Sequence, residues 1–210
     1  MSYERHNIKS VTKDLQKFVI NTPVLRFNII DSLCNCNVFF KCENFQHTGS
    51  FKYRAAINAI KNMPVEFRQT GVITHSSGNF AHALARAAYE LKIPCHIVMP
   101  NNAPNFKKSS VLSYTKNVVE CESNLQSRQF TTSEILKNKN LYFIHPSNNM
   151  DVILGNSSCA LEFVNDYPNL DFIFSPIGGG GLIAGTSIAI NNFSENCQVI
   201  GAEPSNVDDA

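Results

Sequence analysis

The sequence predicts an α/β fold of mainly parallel, twisted sheets with helices on both faces. Two observations lead there. Short apolar runs rich in Val, Ile and Phe alternate with amphipathic stretches of about 10 to 15 residues, which is the pattern of βαβ units. Two strand-to-helix loops, Ser76-Ser77-Gly78-Asn79 and Gly178-Gly179-Gly180-Gly181, concentrate hydroxyls, amides and glycines at the carboxyl edge of a sheet, where clefts form in such folds.

Ser10 to Phe18 is predicted to form a short helix capped by Ser10 and ended by Asn21-Thr22-Pro23. A strand follows at Val38 to Cys42, then a loop from Glu43 to Gly49. Ser50 is a good N-cap for the next helix, which carries Phe51, Ala55, Ala56, Ala59 and Ile60 on one side. Further strands are expected at Val72 to Thr74, His96 to Met99, Asn117 to Cys121, Leu141 to Ile144, Asp171 to Ile177 and Gln198 to Ala202. Between them fall helices at Asn79 to Leu91, Phe106 to Tyr114, Gln126 to Lys137, Asp151 to Asn165 and Leu182 to Asn192. The expected division places residues 1–69 and 147–210 in a larger domain and residues 70–146 in a smaller α/β unit inserted into it.

With 210 residues the chain is long enough to bury a real core, and 18 basic against 17 acidic residues give a formal charge of +1. That balance gives no reason to expect nucleic acid or an anionic membrane as partner. No basic, apolar leader opens the chain and no apolar run approaches the roughly 18 residues of a membrane span, so a soluble, cytoplasmic protein is expected. The 7 cysteines are odd in number and irregular in spacing. Cys34 and Cys36 make a C-x-C without the ligands that would complete a zinc site, and the cysteines are expected to be mostly buried, reduced thiols.

Lys52 falls in the first turn of its helix, where the positive end of the helix dipole disfavours an ammonium. If it points into an apolar cleft, desolvation lowers its proton affinity further and leaves the neutral amine that nucleophilic chemistry needs. Taken alone it reads as a lysine on a solvated helix face, and the other motifs change that reading. Ser76, Ser77, Gly78 and Asn79 can orient a polar ligand or simply cap the following helix. Gly178 to Gly181 let successive N–H groups turn toward one anion at the opening of a helix, a phosphate cup, where a linker would not be wedged between strand and helix. No G-K-[ST] follows, so a nucleotide P-loop is excluded. A dinucleotide site remains open, because Gly179-x-Gly181-x-x-Ala184 fits that fingerprint and Glu203 ends the next strand. A cofactor with one phosphate and one aldehyde uses all three pieces: the cup for the phosphate, Asn79 for the phenolic oxygen, Lys52 for the carbonyl carbon. That cofactor is pyridoxal 5′-phosphate.

The segments Glu43 to Arg54, Ser76 to Asn79, Gly178 to Gly181 and Ala202-Glu203-Pro204-Ser205-Asn206-Val207-Asp208-Asp209 resemble, in order, the motifs of fold-type II pyridoxal-phosphate enzymes. The resemblance is to the serine racemase and serine/threonine dehydratase family and runs from about Asn21 to Ala210. It implies a tryptophan synthase β-like architecture with the cofactor in the crevice, Lys52 bonded to it, Phe51 near the pyridine ring, Asn79 on O3′ and the glycines on the phosphate. It implies Lys52 and Ser77 as the catalytic pair, since inverting a stereocentre needs a proton group on each face of the carbon. Serine is then the expected substrate, for racemisation and for elimination to pyruvate and ammonia, held by Ser76, Ser77, Gly78, Asn79 and Ser147. Aspartate racemase, threonine dehydratase and an inactive, shortened binding or regulatory protein are the alternatives. Glu203, Asp209 and the Val207 carbonyl match a site for magnesium or calcium in that family, and a homodimer is the expected assembly.

Four departures stand out. Ala55-Ala56 replaces the usual Gly-Ala, Gly155-Asn156-Ser157-Ser158 replaces Gly-Gln-Gly-Thr, and Ser147-Asn148-Asn149 lies where a change could shift preference toward aspartate. The relatives also continue past the position of Ala210, with a serine- and glycine-rich segment that meets the pyridine nitrogen. The chain is therefore expected to be C-terminally incomplete, with apolar surface left open and a tendency to associate.

Overall fold

The computed structural model describes residues 5–206 and 208. Helix α1 (Arg5–Leu15) buries Ile8, Thr12 and Leu15, a helical spacing that sets its inner face. Ser10 is exposed inside this helix rather than at its start, so the sequence-based boundary is five residues late; the buried Ile8 decides the register, not the hydroxyl. Strand β1 (Val24–Arg26) and helix α2 (Asn28–Cys34), neither expected from sequence, lead to β2 (Phe39–Lys41), which pairs antiparallel with β1. Asp31 closes this unit by accepting from the Val38 N–H at 2.7 Å and from Arg26 Nε at 2.6 Å.

Helix α3 (Lys52–Asn62) buries every residue from Tyr53 to Ile60. After it come β3 (Val72–His75), α4 (Asn79–Glu90), β4 (Cys95–Pro100), α5 (Asn105–Leu112), β5 (Asn117–Cys121), α6 (Leu125–Asn138) and β6 (Tyr142–Phe143). The four strands form one parallel sheet in the order β5-β4-β3-β6. Alternate residues of β3 and β4 face two cores: Val72, Ile97 and Met99 join the larger one with α3 and α4, whereas Ile73 and Val98 meet Ile135 and Leu136 of α6. The chain runs from β3 outward to β5 and then returns to lay β6 on the other side of β3. The reversal of strand order is therefore beside β3, and the loops after β3 and β6 open at one topological switch point.

Helix α7 (Met150–Asp166) packs against α1, α3 and α8 (Gly181–Phe193). Strands β7 (Phe172–Pro176) and β8 (Gln198–Ala202), joined by α8, form a second, two-stranded parallel sheet. Its inner residues Ile173 and Ser175 are buried against α1, α7 and α8, while Phe172 and Phe174 face outward.

Candidate active site

Lys52 is the first residue of α3, and it is half-buried. Its Nζ donates to the Pro146 carbonyl at 3.2 Å and lies 5.0 Å from the Phe51 ring centre and 5.8 Å from that of Phe80. Burial lowers its pKa from the usual lysine range. Ser50 does not cap the helix as its sequence position suggests. Its backbone is extended, its hydroxyl is buried without a partner among the described residues, and its carbonyl accepts from the Tyr53 N–H. Just before it, Thr48 (φ 62°) and Gly49 (φ 72°) turn through the left-handed region, a conformation a β-branched residue adopts only under constraint.

A buried ionic cluster locks this helix start in place. The Arg54 guanidinium is fully buried, donates through Nε and an Nη to Glu43 at 2.8 and 2.9 Å, and donates to Glu162 of α7 at 2.7 and 2.8 Å. Burial pulls the arginine's pKa down, but the bonds to Glu43 and Glu162 outweigh it and raise the value, so the charge is secure. Lys41 completes the cluster at 2.8 Å from Glu162.

The glycine loop joins β7 to α8. Gly180 sits in the left-handed region at φ 78° and its carbonyl accepts from the Ala184 N–H, so it turns the chain into the helix. A Cβ placed on Gly178 or Gly180 would meet nothing within 4 Å, whereas one on Gly179 would fall 2.4 Å from Ser147 Oγ. One side of the loop is thus open and the other is filled by Ser147. The open backbone at the N-terminus of a 13-residue helix, facing the same segment as a desolvated amine, fits a cofactor that carries a phosphate and a carbonyl.

Two close helix crossings fix the span between amine and cup. A Cβ on Gly155 of α7 would lie 2.6 Å from the Arg54 carbonyl of α3, and one on Gly185 of α8 would lie 2.5 Å from the Ile153 carbonyl of α7. The Gly155-Asn156-Ser157-Ser158 segment is buried all round the helix, between α3 and α8, and Asn156 Nδ2 donates to the Gly181 carbonyl at 3.0 Å.

The Ser76 to Asn79 loop follows β3 at the switch point. Ser76 Oγ accepts from the Gly78 N–H at 3.3 Å, Gly78 precedes α4 without a side-chain cap, and Ser77 and Asn79 are exposed. Phe80, the next residue, is buried and places its ring beside Lys52. In the loop after β6 the sequence marks Ser147-Asn148-Asn149. The loop proves to carry His145 and Pro146 as well, and the Pro146 carbonyl is the contact of Lys52. The one sequence hint was a histidine-proline pair directly after a short strand. Glu203, just beyond β8, is half-buried and has a partner, while Val207 and Asp209 lie outside the described residues. Among the described residues no group of three or more His, Cys, Asp or Glu is placed to hold a metal ion, and no helix is long and apolar enough to cross a membrane.

A desolvated lysine and an open glycine loop at a helix N-terminus, both packed against the turn after β6, fit the class of enzymes that hold a phosphorylated carbonyl cofactor. The family model "pyridoxal-phosphate dependent enzyme" matches residues 15–210, and the chain belongs to that family. The dinucleotide alternative drawn from Gly179, Gly181 and Ala184 is not favoured by this match. The chain is 39% identical over 203 residues to serine racemase of Dictyostelium discoideum, covering 97% of this chain and 63% of that protein. It is 40% identical over 196 residues to β-hydroxyaspartate dehydratase of Paracoccus denitrificans, covering 93% and 62%. The crystal structure of the Dictyostelium racemase superposes with a TM-score of 0.93 at 38% identity, over 100% of this chain and 68% of that one. The chain thus spans a little under two thirds of the length of the curated relatives it matches.

Proposed function

We propose that this chain carries the lysine and phosphate subsites of an amino-acid racemase and ammonia-lyase acting on serine. The observation that supports it best is the shared floor of the two subsites: Lys52 Nζ contacts the Pro146 carbonyl, and the neighbouring Ser147 packs into the loop of Gly178 to Gly181. Pyridoxal phosphate, when bound, withdraws electrons from the substrate α-carbon and makes its proton removable. Lys52, its proton affinity lowered by burial, takes that proton on one face and Ser77 serves the other. Asn79 holds the cofactor's phenolic oxygen, Phe51 flanks the ring, and Ser76, Gly78 and Ser147 bind the substrate carboxylate. Loss of the β-hydroxyl in place of reprotonation leads, through the enamine and its hydrolysis, to pyruvate and ammonia.

The identity with serine racemases of several organisms supports serine as the substrate. The dehydratase of Paracoccus favours a second reading, a hydroxylated or plain dicarboxylic amino acid, for which Ser147-Asn148-Asn149 is the candidate selector. The family resemblance further supports a cytoplasmic homodimer, a smaller unit of residues 70–146 hinged on the remainder, and a magnesium or calcium site at Glu203, Val207 and Asp209. Borohydride reduction of the chain loaded with pyridoxal phosphate, followed by peptide mass analysis, tests the reading. The expected result is a pyridoxyl group on Lys52, absent in Lys52→Ala, with D-serine and pyruvate formed from L-serine. Label on other lysines alone, or bound cofactor without turnover of serine or of β-hydroxyaspartate, would overturn it.

A further inference from the structure

In the turn between β6 and α7, one side-chain atom accepts from two successive backbone N–H groups. His145 Nδ1 lies 2.8 Å from the Asn148 N and 3.2 Å from the Ser147 N, with Ser147 Oγ at 3.5 Å. Two backbone N–H donors aimed at one ring nitrogen require a lone pair there, so the imidazole is neutral with its proton on Nε2. The turn it closes contains both contacts that matter to the site. Pro146 offers its carbonyl to Lys52, and Ser147 fills the back of the glycine loop. Pro146 has no N–H of its own, so the clamp rests on the next two residues.

We propose that His145 is a positioning residue that, as the neutral acceptor of the Ser147 and Asn148 N–H groups, sets Lys52 in register with the glycine loop. The assignment rests on Lys52 being the lysine that bonds the cofactor. The ring is held edge-on to His75 at 5.7 Å and to Phe143 at 6.1 Å between centres. The groups that bear on it are cationic or become so: Lys52 at the head of α3 and His75 at the end of β3, on which Arg128 of α6 acts in turn. Burial first, and the Lys52 charge second, lower the His145 pKa below the usual histidine value of about 6.5.

The sign of the linkage follows. The closed turn holds the imidazole at a lowered pKa and the opened turn returns it to about 6.5, so opening takes up a proton. The clamp is fully present above pH 6.5 or so and is lost as pH falls through the lowered value. Removing the Lys52 charge relieves part of the penalty on imidazolium and moves that loss closer to pH 6.5.

Asparagine is the informative substitution, because its Oδ1 branches from Cγ as Nδ1 does and accepts hydrogen bonds but does not titrate. The experiment reads amide hydrogen exchange at Ser147 and Asn148 between pH 5 and 8 in the full chain, with borohydride capture of pyridoxal phosphate on Lys52 in parallel. In the wild type, protection relative to intrinsic exchange is expected to fall about tenfold on acidification, and capture to fall with it. His145→Asn should keep the amide protection across the range and lose less capture on acidification than the wild type, and His145→Leu should lack the amide protection at every pH. Wild-type protection in His145→Leu, or an acid loss in His145→Asn matching that of the wild type, would overturn the proposal. Should His145→Leu fail to fold, the comparison of wild type with His145→Asn decides alone. Absence of capture in the wild type at all pH values would overturn the proposed function, while the amide pattern would still decide the role of His145.

Discussion

At the scale of single residues, the site depends on charges held where water is scarce. Arg54 shows what that entails: it is fully buried and shares its donors between Glu43 and Glu162, with further bonds to Ser158 Oγ and the Ile20 carbonyl. Replacing it by methionine keeps the stem but takes the guanidinium from both carboxylates, leaving Lys41 at 2.8 Å from Glu162 to balance the pair. Breaking a buried pair in this way costs about 3 to 5 kcal/mol, and Arg54→Lys should recover only part of it, because one ammonium cannot span both carboxylates. Urea unfolding of the two variants beside the wild type checks this; equal midpoints for Arg54→Met and wild type would show the cluster to be replaceable. Lys52 was legible in the sequence because its first-turn position and amphipathic helix are local. Arg54 and His145 were not, because their partners come from far along the chain: Arg54 meets Glu162 across 108 residues, and the turn of His145 meets Lys52 across 94. No periodicity or spacing rule reports such a pairing.

At the scale of elements, α7 is the spacer between the amine and the cup, and the glycines of α7 and of the loop before α8 divide into two kinds by what surrounds them. A methyl group on Gly155 runs into the backbone of Arg54 and Ala55, so Gly155→Ala must push α3 and α7 apart, an overpacking cost of about 1 to 3 kcal/mol. In Gly178→Ala the methyl enters open space and the backbone needs no left-handed turn, so stability should stay within about 0.5 kcal/mol of the wild type. The same methyl stands where a phosphate would approach the loop, and cofactor capture should drop by about tenfold or more. Thermal melts paired with capture assays separate the two effects; undiminished capture in Gly178→Ala would remove that glycine from the phosphate site. The alternation of strands and helices from β3 to β8 was legible because each element buries an apolar face that leaves a period in the sequence. Helix α2 was missed for the converse reason: none of its residues is buried, Ile29 is 73% and Leu33 81% exposed, and it is held by Asp31 and a left-handed Asn35. Strand β1 spans three residues, too few for any alternation to show.

Across the whole molecule, the sequence foretold a parallel sheet but not its strand order, and that order places the loops after β3 and β6 at one crevice. The pairing of β6 with β3 spans only Val72 to Tyr142 and Ile73 to Phe143, two residue pairs that no local pattern could have signalled. The second sheet presents a different balance. Parallel strands are normally covered on both faces, yet β7 and β8 bury Ile173 and Ser175 on one side while Phe172 is 51% and Phe174 69% exposed on the other. Two exposed aromatic rings on a two-stranded sheet with open edges make an adhesive surface for the chain as it stands. Concentration-dependent association is the expected behaviour, seen as a rise in weight-average mass by light scattering. Phe172→Ser with Phe174→Ser should reduce it, and because the rings are already exposed, stability should change by only about 0.5 kcal/mol or less. Phe172 and Phe174 lie on the face opposite the buried Ile173 and Ser175, so cofactor capture should be the same in the double variant. Association that persists undiminished would place the adhesive surface elsewhere, with exposed Ile29 and Leu33 of α2 the next to be substituted.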